Sequence, residues 1–594
     1  MSQGVGLAGL RLAGRWGLYA VVGAVAGLGS ILFYTLCQLA LWFFLGHLVG
    51  YHPPAPGGEP PLFEPPDVAW RWWLVPLIPA LGALLGGLLV WRFAPEAEGH
   101  GTDAAIEAFH QREGYVRPLV VPVKMLASAL TLGSGGSGGR EGPIAQIGAG
   151  FGSFLATRLG LSARERRILL AAGMGAGVGS IFRAPLAGTL FAAEVLYSSL
   201  EFDTDVILPA AIATTVSYCT FSLAFGWGSL FWAPDFRFDN PLELIPYMAM
   251  VPVLVAAAYL YVHGFYGLHY RFKALRLPGY LRPMLGGLAV GAIGLALPQT
   301  LAFGYGFIQE ALDGRLNTSL LLAVGLTKIA TTSLSIGSGG SGGVFGPSMV
   351  IGAALGGACG NVFHSVAPGV VSQPGAFVIV GMAGFWAAAS KTPISTILMV
   401  SEMTGSYHLL LPALLVCSLC FIASRGFSIY ERQVPTRLES PAHAGDFFFD
   451  VLGRLTVADV GEVRPAQALP EAMSLAEFRS FFARSEQRYF PVVDGAQRLT
   501  GIFSVNDVRT ILFEPGLERV VVMKDIARPD VIKVSPAEDL ASVLRKFTIR
   551  NLDELPVVAQ EDETRLLGMI SRRQVIALYN QRLAELRPQA GLAT

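Results

Sequence analysis

The sequence predicts an all-α polytopic membrane protein of short, broken helices, followed by a water-soluble α/β pair. Three observations carry this. First, the 594 residues hold 43 Lys/Arg and 43 Asp/Glu, yet residues 436–594 alone hold 20 and 22 of them. Residues 1–435 are therefore far poorer in charge than a soluble chain, in which about a quarter of residues are charged. Second, that region is built from long charge-free runs. Third, both regions are internally duplicated. The composition excludes a simple cytosolic enzyme, a disordered chain and a nucleic-acid binder with a basic surface.

The spans follow from the charge-free runs, because about 20 apolar residues cross a bilayer. These runs are Trp16 to Gly58, Trp72 to Trp91, Val206 to Pro234, Ile245 to Tyr270 and Pro283 to Gln309. From Ile329 to Ser390 there is no Asp, Glu, Lys or Arg. The first run is too long for a signal-peptide core, and nothing after Arg15 resembles a cleavage site. Arg11, Arg15 and the arginines between Arg158 and Arg167 place the N-terminus on the cytoplasmic side by the positive-inside rule. The chain holds 70 Gly and 37 Pro, many inside the apolar runs. A helix broken in lipid needs its freed backbone groups satisfied by protein, water or substrate. Frequent breaks thus predict tilted, partly re-entrant helices around a polar path, with ordinary small-residue helix packing as the alternative. The five cysteines lie in apolar stretches without metal-ligand spacing to His, so neither a disulfide framework nor a metal site is expected.

Gly133-Ser-Gly-Gly-Ser-Gly-Gly139 runs into Arg140-Glu141-Gly142-Pro143, and Gly337-Ser-Gly-Gly-Ser-Gly-Gly343 runs into Val344-Phe345-Gly346-Pro347. Gly173-Met174, Pro185 and Glu194 are echoed at Gly381-Met382, Pro393 and Glu402. The membrane region is read as two halves, roughly 15–230 and 240–435, of one duplicated unit. Such halves are the usual architecture of secondary transporters, with the site at their interface. A linker is expected at 436–452, then soluble modules at 453–515 and 521–585. In these, Tyr489-Phe-Pro-Val-Val493 before Gly501-Ile-Phe-Ser504 is echoed by Glu554-Leu-Pro-Val-Val558 before Gly568-Met-Ile-Ser571. Each copy reads helix (475–483; 540–549), strand, turn, strand, helix.

Each glycine block enters an apolar helix with Pro in its first turn, where the missing N–H costs nothing. Glycine lets a ligand approach the backbone closely. Free N–H groups and the positive end of the helix dipole then favour an anion. Two such ends meeting within the membrane would hold a dehydrated anion without a fixed Lys or Arg, which would bind it too tightly to release. The blocks lack the Gly-Lys-Ser/Thr of a P-loop. Gly135-Gly-Ser-Gly138 superficially fits an intramembrane serine protease, but it occurs twice with nearly the same neighbours and without an arguable His. Glu141, at a helix start within the membrane, is a functional candidate by its cost alone. Its carboxylate either occupies the anion site when charged and leaves it when protonated, or simply caps the helix paired with Arg140.

These residues resemble the CLC family of chloride channels and chloride/proton antiporters. Gly139-Arg-Glu-Gly-Pro143 and Gly343-Val-Phe-Gly-Pro347 match its motifs, and the resemblance spans roughly residues 15–435. The C-terminal pair looks like two CBS domains. The resemblance implies a homodimer with one pore per subunit, inverted repeats, and CBS domains in the cytoplasm. It implies that Glu141 is the external gating glutamate. The anion ligands would come from the backbone around Gly139, Arg140 and Gly142 and around Val344, Phe345 and Gly346. Tyr430 resembles the central tyrosine whose hydroxyl contacts the anion, with an interfacial belt tyrosine as the alternative.

Two departures matter. The family's Gly-Ser-Gly-x-Pro stands here as Gly99-His100-Gly101-Thr102-Asp103. His100 either donates to the anion, more strongly when protonated, or sits in a solvated vestibule, and Asp103 is expected to cap a helix starting at Ala104. The internal proton-transfer glutamate of the antiporters aligns with Val195, which cannot carry a proton and so resembles channel members. Glu194 and its echo Glu402 read as structural carboxylates. In the CBS pair, Ser504 and Asp507 fit a ribose-contacting Ser/Thr-x-x-Asp, whereas Ser571 and Gln574 lack the acid. An adenine nucleotide or a purely dimer-stabilising role are both open there.

The expected function is conduction of chloride, with other anions as further candidates, through a bilayer by a non-enzymatic, cofactor-free path gated by Glu141. A proton-coupled antiporter using another proton route is the alternative. A CBS-linked receptor and a divalent-cation transporter rank lower, the latter because a cation site wants several carboxylates.

Overall fold

The computed structural model describes residues 2–443, 452–461, 463–512, 514 and 516–589, with side chains within 16–582. The chain divides into two compact units, Met1–Ala442 and His443–Thr594.

The first unit is helical. Helix α1 (Ser2–Leu41) runs into a π-helical stretch, Trp42–Val49, that ends at Gly50 with a positive φ of 75°. Its half continues through α2 (Leu77–Phe93), α3 (Thr102–Gln111), α4 (Val120–Gly133), α5 (Glu141–Arg158), α6 (Ala163–Ile181), α7 (Pro185–Glu194) and α8 (Thr204–Phe225). The other half holds α9 (Leu244–Ala274), α10 (Leu281–Ala296), α11 (Tyr305–Leu312), α12 (Thr318–Ser335), α13 (Phe345–Val366), α14 (Ala376–Ser390), α15 (Pro393–Thr404) and α16 (Leu410–Ala423). Among the described residues, six helical segments are long and apolar enough to cross a membrane, and four shorter helices are equally apolar. The expected broken spans are seen. The run from Pro283 to Gln309 is not one helix. It is cut where Pro298 lacks an N–H and Gly304 takes φ 80°, leaving α10 and the two-turn α11.

The duplication reaches beyond the glycine blocks. Lys124 of α4 donates to the carbonyls of Ala97 (3.1 Å) and Gly99 (2.7 Å), just ahead of α3. Lys328 of α12 donates to those of Thr300 and Ala302, both at 2.9 Å, just ahead of α11. Arg183 and Lys391 both take positive φ, 55° and 64°, immediately before the helices that start at Pro185 and Pro393. Arg183 bonds the carbonyls of Phe225 and Gly228 beyond α8, and Lys391 bonds Ser424 beyond α16. Each buried cation thus satisfies carbonyls that a helix end or a bend leaves unpaired.

The first unit closes later than the sequence suggests. Arg437 donates its N–H to Glu201 (2.6 Å) and its guanidinium to Thr204, and Ser440 meets His110 at 2.7 Å. Residues 436–442 are therefore not linker but a strap on the membrane unit. The rest of the expected linker, 444–451, lies outside the described residues.

In the second unit, β1 (Leu469–Pro470) lies parallel to β2 (Tyr489–Val493), which pairs antiparallel with β3 (Leu499–Ser504). Strands β4 (Glu554–Val558) and β5 (Leu566–Ser571) form the second antiparallel pair. The two copies share their beginnings: Leu452 and Val457 pack in the core around Leu540, Leu555 and Ile570, while Met523 packs with Leu475, Phe490 and Phe503. The cores interleave across the expected cut between 515 and 521, because each module borrows a short helix from the chain ahead of the other.

Candidate functional site

Helices α5 and α13 begin beside each other. Gly139 and Gly343 exchange two backbone hydrogen bonds, Gly139 N–H to Gly343 O at 2.8 Å and the reverse at 2.6 Å. This antiparallel bridge fixes the two glycine blocks head to head. A Cβ on Gly142 would meet Gly343 Cα at 3.0 Å and collide with the carbonyl of His100, so the start of α3 is packed on the same point. Three helix N-termini therefore converge: α3, α5 and α13. The blocks are also tied to the loops ahead of the short helices, Ala302 N–H to Gly135 O at 3.1 Å and Gly342 N–H to Gly99 O at 3.3 Å.

Glu141 is 2% exposed and reaches across the junction, its Oε2 accepting from the Gly346 N–H at 3.2 Å. Its other oxygen is buried without a hydrogen-bond partner. The carboxylate thus sits on the N-terminus of the other half's helix, where a small anion would be held by the same donor. The alternative expectation, Glu141 paired with Arg140, is not what the structure has. The Arg140 guanidinium turns away, pairs with Glu59 at 2.5 Å and lies over the rings of Tyr34 and Tyr305 at 5.0 and 5.1 Å. Arg140 thus belongs to the junction by its backbone alone.

Below Gly346, Phe345 packs edge-on against Trp386 at 4.4 Å, Trp386 against Tyr430 at 5.8 Å, and Tyr430 beside His100 at 5.6 Å between ring centroids. The Tyr261 hydroxyl donates to Val344 O at 3.0 Å. Glu141, Phe345, Tyr430 and His100 are all buried. These aromatic groups form a continuous chain from Phe345 to a cavity of about 640 Å³ lined by His100, Asp103, Tyr266, His269 and Arg432. On the far side of Glu141, Arg140 and Glu59 line a smaller cavity of about 110 Å³ with Tyr305.

Asp103 is not a cap. Helix α3 starts at Thr102 behind Gly101, with no side-chain cap. The Asp103 carboxylate instead accepts the N–H groups of Glu431 (3.3 Å) and Arg432 (3.2 Å) and lies 3.3 Å from His100 Nε2. It thereby anchors the segment that carries Tyr430. His100 lines the cavity and is only 7% exposed.

Val195 is fully buried beyond α7, and its carbonyl accepts from Gln433 Nε2 at 3.0 Å. Sequence reasoning missed four residues at the site. Glu59 comes from a loop with no local pattern. Tyr305, whose buried hydroxyl has no partner and points at Gly346, stands at the start of α11. Lys124 and Lys328 carried a readable signal, a lone lysine at the same place in both halves.

In the soluble unit, Ser504 and Asp507 form a capping box, Asp507 Oδ2 accepting from the Ser504 N–H and hydroxyl at 2.9 and 2.7 Å. Asp507 also pairs with Arg528 at 2.5 Å. Burial pushes its carboxyl up, but these hydrogen bonds and the guanidinium outweigh that and hold it below the usual carboxylate range. Both residues line a cleft of about 230 Å³ with Tyr489, Arg528 and Arg550.

Comparison with known proteins bears on this geometry. The family model described as voltage gated chloride channel matches residues 81–425, more than half of the chain. The chain belongs to the voltage gated chloride channel (CLC) family. The CBS domain model matches residues 457–514 and 523–580. A putative chloride channel protein ClcB-like from Ralstonia nicotianae is 31% identical over 373 residues, covering 62% of this chain and 86% of the relative. The H(+)/Cl(-) exchange transporter ClcA of Salmonella arizonae is 30% identical over 420 residues, covering 67% of this chain and 82% of that one. A slow cyanobacterial Cl-/H+ antiporter of known structure superposes with a TM-score of 0.63 at 24% identity, over 70% of this chain and 96% of the antiporter. The inverted-repeat CLC fold and the tandem CBS domains read from the motifs are therefore found.

Proposed function

We propose that this CLC protein passes chloride across a membrane between the two glycine blocks, with Glu141 as the gate. The observation that carries this is the Glu141 carboxylate resting on the Gly346 N–H, a negative group on an anion's donor. The backbone of Gly139, Arg140, Gly142, Val344, Phe345 and Gly346 surrounds the ion's path, and Tyr430 and His100 line its continuation. Because Val195 offers no proton acceptor, the leading reading is channel-like. A coupled exchanger is the second reading, favoured by what the Salmonella relative is named and by a titratable His100 on the path. Glu141 faces outside, and the N-terminus and the CBS domains are cytoplasmic; the chain works as a homodimer. In the CBS cleft an adenine nucleotide would bind with Ser504 and Asp507 at its ribose, once Arg528 releases Asp507 to meet a phosphate.

The deciding experiment reconstitutes the chain in liposomes under a chloride gradient with an internal pH probe. Chloride flux without proton movement supports the channel-like reading. Protons driven uphill establish exchange and remove Val195 as an argument. No chloride flux in vesicles that hold folded protein overturns the transport proposal itself.

A further inference from the structure

His100 stands where the family's motif has serine, and the two side chains do different chemistry. A serine hydroxyl always has a proton to give an anion. A neutral imidazole has one N–H and one lone pair, and which nitrogen holds the proton is set by its partners. Here the partner is an acceptor: Asp103 Oδ2 lies 3.3 Å from His100 Nε2. Asp103 already takes the N–H groups of Glu431 and Arg432, the company of an ionised carboxylate. The charge of a carboxylate this close favours the ring's proton on Nε2. The opposite nitrogen, Nδ1, is buried with no hydrogen-bond partner and in the neutral ring is a bare lone pair.

The surroundings allow the ring to change charge. It lines the cavity of about 640 Å³, so protons reach it from solvent. Beside Asp103, helix α3 and its end bring Glu107 and Arg112 to the same cavity, and α9 also brings Tyr270 and Lys273. Helix α4 sends Lys124 to the neighbouring Gly99 carbonyl. Helix α9 presents Tyr266 and His269, with Phe265 at 6.3 Å. The segment after α16 brings Tyr430, Glu431 and Arg432, and the loop ahead of α3 brings Glu98.

We infer that His100 is a proton-dependent anion ligand. The neutral ring turns a lone pair toward the buried path and repels an anion, whereas the protonated ring gains an Nδ1–H donor and a positive charge there. Chloride and a proton then enter the inner part of the path together, and Asp103 is the positioning residue that enforces this by fixing the tautomer. The inference rests on the reading that the anion passes between the glycine blocks. It adds that the inner site takes up a proton with its anion, at a residue other than the one at Val195.

The test measures chloride binding to the purified full-length chain by calorimetry, from about pH 5 to 8, where an imidazole changes charge. Two buffers of different ionisation enthalpy report the protons exchanged. All proteins carry Glu141→Gln, which removes the gate's own titration. With His100 present, chloride affinity falls by about tenfold per pH unit above the ring's titration, and about one proton is taken up per chloride. His100→Ser restores a permanent donor: affinity near neutral pH rises, its pH slope vanishes, and proton uptake stops. Asp103→Asn frees the tautomer, because its amide can accept or donate, so the slope shrinks while His100 remains. A pH-independent affinity with His100 in place, or an unchanged slope in His100→Ser, overturns this inference and leaves the transport reading standing. Absence of chloride binding in every protein, His100→Ser included, with melting showing all of them folded, removes both.

Discussion

Glu194 and Glu402 cap one another's helices. Glu194, the last residue of α7, accepts the N–H groups of Ile394 (3.0 Å) and Ser395 (2.8 Å) at the start of α15. Glu402, near the end of α15, accepts those of Leu186 (3.3 Å) and Ala187 (2.8 Å) at the start of α7. Each carboxylate satisfies donors that a buried helix start leaves free and lies at the positive end of that helix's dipole. The reciprocity is the mark of two halves related by a two-fold axis, and it assigns both glutamates to structure.

Glu194→Gln should therefore lower stability without touching ion coupling. Hydrogen bonds to a charged acceptor contribute about 1.5–3 kcal/mol, and glutamine keeps only their neutral part. A loss of about 1–2 kcal/mol is expected, with a similar loss for Glu402→Gln. Thermal melting in detergent reads the first quantity, and the proton-to-chloride ratio in liposomes reads the second. A changed ratio with unchanged melting would reassign Glu194 to proton transfer.

The Glu59–Arg140 pair makes a sharper demand. Both residues are buried, Arg140 only 1% exposed. Removing one partner of a buried pair strands the other charge, at about 3–5 kcal/mol. Glu59→Gln should thus melt well below the parent, and Glu59→Gln with Arg140→Gln should recover much of the loss. If the double variant is no better than the single one, the pair is not what holds the 51–71 loop against the glycine blocks.

How much of this was legible follows from where each signal lives. The repeat, the glycine blocks and Glu141 are local patterns, and a helix start with its loop can be read along the chain. The Glu194–Glu402 echo was readable as a repeat, but its geometry needed two helices brought side by side. Asp103 was misplaced because helix-start chemistry suggested a cap, whereas its partners, Glu431 and Arg432, lie more than 300 residues away. Glu59 sits in a Pro- and Gly-rich loop and acquires meaning only when that loop folds over Arg140. The strap at 436–442 reads as linker along the chain because charge returns there. Its arginine, Arg437, in fact pairs with Asp205 and donates its backbone N–H to Glu201, both in the membrane unit.

Asp507 sets a pH dependence in the soluble unit. Its carboxyl is held below the usual range in the fold, so the folded state binds its proton less readily than the unfolded chain. The contribution is full above the unfolded value of about 3.9 and is lost as pH falls through the lower folded value. Protection of the amides around Ser504 in the full chain, taken relative to the intrinsic exchange rate at each pH, should fall on acidification below about pH 4. Asp507→Asn should exchange faster at neutral pH and respond less to acid. An identical acid response in the variant would mean that other carboxylates govern this module.

Glu141 offers the most direct test of the gate. With the carboxylate ionised, the Gly346 N–H is committed to Oε2, and an arriving anion must displace a negative group from the same donor. Protonation removes that charge and weakens the bond, so flux should rise as pH falls on the side that Glu141 faces. Glu141→Gln resembles the protonated form at every pH. A charge-assisted bond of about 1.5–3 kcal/mol corresponds to roughly ten- to a hundredfold in site occupancy. Chloride flux in the variant near pH 7.5 should therefore exceed the parent's by about tenfold or more. The rise on acidifying the Glu141 side should vanish, while any response to acid on the opposite side should persist, because His100 is intact. Retention of the parent's full pH profile on the Glu141 side would show that this carboxylate does not compete with the anion, and that the gate lies elsewhere along the path.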